Sequence, residues 1–130
     1  MKVIVAGNRY KDSQNKIVFD DYDLVLSAIN SCGFFIDELV SGTAIGVDQL
    51  GEQWAQTRSI PITRMPADWN KYNKGAGPIR NRAMAVYADA AVIVWDGTSE
   101  GTRSMINEMI RIKKPYHLQL SLSTLESFYE

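Results

Sequence analysis

Apolar positions along this chain follow two rhythms that take turns. Lys2 to Ala6 is a short run rich in Val and Ile, stopped by Gly7, and predicts a buried strand. Tyr22, Val25, Leu26 and Ile29 then recur at i, i+3, i+4 and i+7, one face of a helix that ends near Cys32-Gly33. Glu38-Leu39-Val40 predicts a brief second strand starting near Ile36, and Val47, Leu50, Gly51, Trp54 and Ala55 form another helical stripe. Ile62 to Met65 reads as a third strand, closed by Pro66. Pro78 suits the first turn of a helix whose apolar positions are Ile79, Ala83, Val86 and Tyr87. Ala90 to Trp95 is a fourth strand, stopped by Gly97. Thr102, Met105, Ile106, Met109 and Lys113 trace a helix that ends before Pro115. Tyr116 to Leu120 makes a fifth strand, and Leu122, Leu125 and Phe128 suggest a terminal helical turn.

Strand and helix thus alternate five times, and the strands are apolar on nearly every residue. A strand tolerates that only when both of its faces are covered. The expectation is an α/β fold, a Rossmann-like three-layer sandwich with a mostly parallel five-stranded sheet, built as one domain over residues 1–130. Val3 to Val5 and Val92 to Val94 should be its central, neighbouring strands. The loops Asn8 to Asp20 and Pro66 to Gly77 are longer than usual βα connections, and long loops are more often functional than idle. Met105, Ile106, Met109, Ile110 and Ile112 cover more than one face of their helix. A helix apolar on two sides predicts a second partner surface, hence a homo-oligomer through this helix or through the Ala83 to Tyr87 helix.

Composition narrows the function classes. With 45% hydrophobic and 22% charged residues the chain is globular rather than disordered. No apolar run approaches the roughly 18 residues of a bilayer span, and Met1 to Gly7 turns polar too quickly for a secretory signal. Fourteen basic against fifteen acidic residues leave a net charge of -1, so a nucleic-acid coat or an anionic-membrane binder is disfavoured. Any anion site must be local. Cys32 is the one cysteine and His117 the one histidine, which rules out a four-ligand Cys/His zinc site and fits a reducing cytoplasm.

In a doubly wound sheet, ligands sit outside the carboxyl ends of the strands. Polar and glycine residues collect there. The first strand runs into Gly7-Asn8-Arg9, the second into Ser41-Gly42-Thr43-Ala44-Ile45-Gly46-Val47-Asp48, the fourth into Asp96-Gly97-Thr98-Ser99-Glu100-Gly101-Thr102. The third is followed by Pro66-Ala67-Asp68-Trp69 and then Gly75-Ala76-Gly77-Pro78-Ile79-Arg80-Asn81-Arg82. Glycine before a helix lets backbone N–H groups close on a phosphate, and the helix N-terminus adds partial positive charge. The alternative is that Gly, Ser and Thr merely cap ordinary βα turns. Neither GxGxxG after the first strand nor GxxxxGK[ST] is present, so the chain is neither a standard NAD dehydrogenase nor a P-loop NTPase.

These blocks, in this order, resemble the small YspA-like branch of the SLOG superfamily, whose relatives include the DprA-type and LOG-type Rossmannoid proteins. The most specific piece is Ala67-Asp68-Trp69-Asn70-Lys71-Tyr72 with Gly77-Pro78-Ile79-Arg80-Asn81. The resemblance implies a sheet that binds a nucleotide or nucleotide-derived ligand, and no one reaction. The family loop is closer to SGGARGAD; here Thr43 and Ile45 replace its second glycine and its arginine. The phosphoribohydrolase branch resembles GGxGTxxE, whose glutamate falls at Met105, with Glu108 one turn further along.

Each candidate has a plain reading beside the functional one. Arg80 and Arg82, at the start of a helix where cations are disfavoured, either meet an anion or pair with Asp68 or Asp89. Asp48 is a helix-start cap, or it binds ribose hydroxyls or supports an oxocarbenium-like transition state. Asp96 and Glu100 either cap their loop or serve the site. Trp69 and Tyr72 either stack a base or plug the core edge, whereas Trp54, Trp95, His117 and Cys32 read as structural. The expected ligand-binding set is Gly7, Asn8, Arg9, Ser41, Gly42, Thr43, Gly46, Asp48, Arg80, Asn81, Asp96, Gly97, Thr98, Gly101 and Thr102, with no metal or cofactor. Phosphate would sit on the Gly/Thr loops, Arg9 and Arg80 would neutralise it, and Asp48 would address the sugar. The expected partner is a nucleotide-like small molecule. The alternatives are an N-glycosidic hydrolase of nucleoside monophosphates working through Asp48 or Glu100, and, weakest, a DNA-handling module.

Overall fold

The computed structural model describes residues 1–8 and 21–121. The expected Arg9 contact and the helical turn at Leu122, Leu125 and Phe128 lie outside these residues. Five strands form one all-parallel sheet in the order β3-β2-β1-β4-β5: β1 (Lys2–Gly7), β2 (Glu38–Ser41), β3 (Ile62–Arg64), β4 (Ala90–Trp95) and β5 (Tyr116–Leu120). Rossmann-like α/β architecture follows from this order, with β1 and β4 side by side at the centre.

Successive residues of a strand face opposite sides of its sheet, and two cores form accordingly. Val3, Val5, Leu39, Val92 and Val94 pack under α1 (Tyr22–Ser31) and α2 (Val47–Thr57), together with Val25, Ile29 and Trp54. Ile4, Val40, Ala91 and Ile93 pack on the other side under α4 (Ala76–Tyr87) and α5 (Glu100–Ile112), with Met84, Met105 and Met109. Complete burial of both sets explains why the central strands β1 and β4 carry no polar alternation.

Local chemistry sets the helix ends. The Asp21 carboxylate accepts the Leu24 N–H at 3.0 Å and starts α1. Lys114 stops α4 from a distance: its ammonium donates to the carbonyls of Ala85, Val86 and Ala88 at 2.9, 2.8 and 2.6 Å. Pro115 then leads into β5. The Cys32 thiol donates to the Ile29 carbonyl, and His117 Nε2 lies 3.1 Å from Ser31 Oγ, so both residues are engaged in the scaffold.

Two expectations between β3 and β4 are corrected. The segment from Pro66 to Gly77 is not simply a loop: it holds the one-turn helix α3 (Trp69–Tyr72) and a 3-10 turn (Asn73–Gly75) before α4 begins at Ala76. Pro78 is therefore the third residue of α4, where its missing N–H removes no helical bond. Arg80 is the fifth residue, beyond the first turn where the dipole acts, so no dipole penalty marks it out. Met105, Ile106 and Met109 are buried in the chain's own core and Ile112 packs against it, while Ile110 is exposed. On α4, Ile79, Ala83 and Val86 are exposed. Among the described residues no helix is long and apolar enough to cross a membrane.

Candidate functional site

A cavity of about 380 Å³ opens at the carboxyl edge of the sheet, within the range of about 300–1,000 Å³ typical of small-molecule sites. Ala6 and Gly7 at the end of β1 line it, with Ala44 and Asp48 at the start of α2. Trp69 of α3 and Gly77, Pro78, Arg80, Asn81 and Met84 of α4 form one wall. Ser99, Glu100, Gly101 and Thr102 at the start of α5 form another. Three crossover helices thus begin around one hollow, as the parallel sheet dictates.

Asp48 and Arg80 meet in its wall. Asp48 is only 5% exposed, and its carboxylate accepts the N–H groups of Ala44, at 3.2 Å, and of Gly7. Burial pushes this carboxyl up to about 6 from 3.8, while the Arg80 guanidinium and the two amides hold it down and Glu52 adds to the rise. Arg80 donates through Nη1 to the Gly42 carbonyl and through Nε to Asn81 Oδ1 at 2.9 Å. A side chain on Gly42 would begin 2.6 Å from that guanidinium and 2.8 Å from the Asp48 carboxylate, so close packing of the pair explains this glycine. Asn81 Nδ2 donates to the Gly101 carbonyl at 3.1 Å and to Ser104 Oγ at 3.2 Å, stitching α4 to α5.

The loop before α5 satisfies most of its own amides. Asp96 Oδ1 accepts the N–H groups of Thr98 and Ser99, each at 2.8 Å. The Ser99 hydroxyl accepts the Thr102 N–H at 3.5 Å and the Thr102 hydroxyl at 3.1 Å, capping α5. The amides of Glu100 and Gly101 are left without a partner among the described residues, and both residues line the cavity. An added Gly101 side chain would touch nothing within 4 Å. Gly101 is helical, and no neighbour requires a glycine there.

Other predicted site residues hold the scaffold instead of lining the cavity. Asn8 is fully buried and binds three elements: its N–H donates to Val94 O at 3.0 Å, its carbonyl accepts from Val47 N at 3.2 Å, and its Oδ1 accepts from Asp96 N at 2.7 Å. The Ser41 hydroxyl donates to Glu52 Oε2 at 2.6 Å and accepts the Thr43 N–H, while Glu52 also pairs with Arg64. Gly46 caps α2 at φ 115° and Gly97 lies at φ 85°, conformations that only glycine adopts readily. Gly42, Thr43, Asp96 and Thr98 also lie outside the lining. Arg82 pairs with Glu108 at 3.3 Å, not with Asp68 or Asp89: Asp68 caps α3 and Asp89 accepts the Lys2 N–H. Within the lining are Gly7, Asp48, Arg80, Asn81, Gly101, Thr102 and Glu100. Ser99 joins them, as do Ala44, Pro78 and Met84, which the sequence did not mark as site residues, and Trp69 stands there 51% exposed rather than plugging the core.

The model of the YspA, cpYpsA-related SLOG family matches residues 1–72. The chain belongs to this SLOG family. No curated protein and no solved structure matches it. In this SLOG protein the matched half contributes Gly7, Asp48 and Trp69 to the cavity, and Arg80, Asn81 and the start of α5 come from beyond the match. Thr43 sits at φ 66°, a left-handed conformation costing a side-chain-bearing residue about 1–2 kcal/mol and glycine almost nothing. Met105, where a phosphoribohydrolase resemblance would place glutamate, is buried in the core. Glu108 is held between Arg82 and Arg111.

Proposed function

We propose that this SLOG protein binds a nucleotide or nucleotide-derived phosphate ligand in the cavity, its anionic end over the first turn of α5. The start of α5 carries this reading: two cavity-lining residues have amides without partners among the described residues, and one of them is a helical glycine whose Cβ position is open. Glycine in a helix forgoes about 0.5–1 kcal/mol relative to alanine. A ligand approaching the backbone at Gly101 gives that sacrifice a reason, and the helix N-terminus favours an anion there. Arg80 supplies the cation and Asp48 a carboxylate for sugar hydroxyls.

A thermal-shift screen over nucleotides, dinucleotides, ADP-ribose and cyclic nucleotides identifies the ligand, since saturation at a hundred times Kd adds about 2.7 kcal/mol. Gly101→Ala then separates fold from function. The free variant should melt about 2–4 °C higher than wild type, while its affinity for the ligand found should drop about tenfold or more as a methyl group enters the anion's place. A variant that gains stability and binds like wild type defeats this placement.

The buried Asp48 carboxyl, raised to about 6 beside Arg80, favours a second reading as an N-glycosidic hydrolase. With Met105 in the glutamate position, the expected result is no free base from purine or pyrimidine monophosphates by chromatography. Base release that disappears in Asp48→Asn would put the hydrolase first.

A further inference from the structure

We infer that Trp69 is a nucleobase platform, one wall of the cavity built to take the planar ring of a ligand whose phosphate lies at α5. This rests on the nucleotide reading and adds which end of the ligand goes where. The three tryptophans are treated differently by the fold. Trp54 is 7% exposed within the core, and Trp95 donates its indole N–H to the Ser99 carbonyl at 3.1 Å with the Arg103 guanidinium over its ring. Trp69 keeps 51% of its surface open although it lines a cavity.

Its position is nevertheless fixed. Trp69 opens α3, whose turn is closed by the Asp68 carboxylate accepting the Lys71 N–H at 3.1 Å. One edge of the indole is seated against α4, with Cη2 3.5 Å from the place where a Gly77 side chain would start. The large ring is therefore held, half uncovered, at the rim of the hollow.

The rest of the lining divides the ligand. Ala6, Ala44, Pro78 and Met84 make much of the cavity apolar, so a bare sugar phosphate would leave that surface unused. Asp48, Arg80 and the amides of α5 are polar, so a wholly apolar ligand would leave them unpaired. A flat heteroaromatic group joined to a sugar and an anion meets both demands. Stacking on an aromatic side chain is tolerant of base identity because every base has a π face.

Calorimetric titration of adenosine monophosphate and of ribose 5-phosphate into wild type, Trp69→Leu and Trp69→Phe tests this. Leucine keeps apolar bulk without a π face; phenylalanine keeps the face. The leucine variant should lose adenosine monophosphate affinity by about tenfold to a hundredfold. The phenylalanine variant should stay within about fivefold of wild type, and ribose 5-phosphate should bind all three proteins alike within about twofold. Equal losses for leucine and phenylalanine, or equal losses for both ligands, overturn the platform. So does failure of both variants to fold, which would make Trp69 a packing residue. A wild type that binds both ligands within about threefold of each other also overturns it, but leaves the phosphate reading standing. A wild type that binds neither at millimolar concentration overturns both.

Discussion

Gly7→Ala should cost the protein about 3 kcal/mol or more and lower its melting temperature by about 10 °C or more. A methyl group on Gly7 would begin 2.0 Å from the Val94 carbonyl oxygen and 3.0 Å from Val47 Cγ2. The first contact is with backbone, so no rotamer change relieves it. Gly7 and Val94 are register partners in the central β1–β4 pair, and relief requires that pair to part at the end bordering the cavity. Urea or thermal denaturation beside Gly101→Ala gives the cleanest reading, because the same chemical change then has opposite signs at two cavity glycines. A Gly7→Ala melting point within about 2 °C of wild type would mean that the sheet edge gives way more easily than close packing of β1 on β4 allows.

Asp48→Asn should stabilise the protein at pH 8, by about 1–3 kcal/mol, and the gain should fade as pH falls from about 6 to about 4. Burial raises this carboxyl from 3.8 to about 6, against the pull of Arg80. Between those values the native chain holds a proton that the unfolded chain has released. Wild-type stability from this group is thus full below about 3.8 and is lost as pH rises through about 6, after which the cost stays constant. Asparagine fills nearly the same space without a charge to desolvate. The difference between the urea midpoints of variant and wild type, followed in steps from pH 4 to 8, should grow and then level off. A variant less stable than wild type at pH 8 would show that the ion pair with Arg80 outweighs the desolvation of Asp48.

Much of the fold was legible because covering the sheet on both faces leaves a plain mark. Val3 to Val5 and Val92 to Val94 are apolar on every residue, and only central strands of a sandwich are so placed. The short helix α3 was not legible, since Trp69-Asn70-Lys71-Tyr72 is a single turn and a helical period needs more than one turn to show. At the site the difficulty was one signal with three causes. Glycine makes room for the Val94 backbone at Gly7 and for the Arg80 and Asp48 side chains at Gly42, gives a left-handed backbone at Gly46 and Gly97, and leaves open space at Gly101. A sequence prints the same letter for all three. Pairing was equally hidden. Asp68 and Asp89 lie nearer in sequence to Arg80, but the fold brings Asp48 to it across the cavity edge. Likewise Asp96 and Ser41 have the right chemistry for ligands, but loop amides and Glu52 already occupy them.

The triple attachment of Asn8 bears on how this site breathes. One buried residue joins the end of β4, the start of α2 and the loop before α5, so none of the three can open without severing bonds held by the others. Their amide hydrogens should therefore exchange together, as one cooperative unit, in a hydrogen-exchange measurement. The cavity floor is consequently a fixed template. Adaptation to a ligand falls to the rim, where exposed Glu100 stands outside that knot and can change rotamer without disturbing the strands beneath.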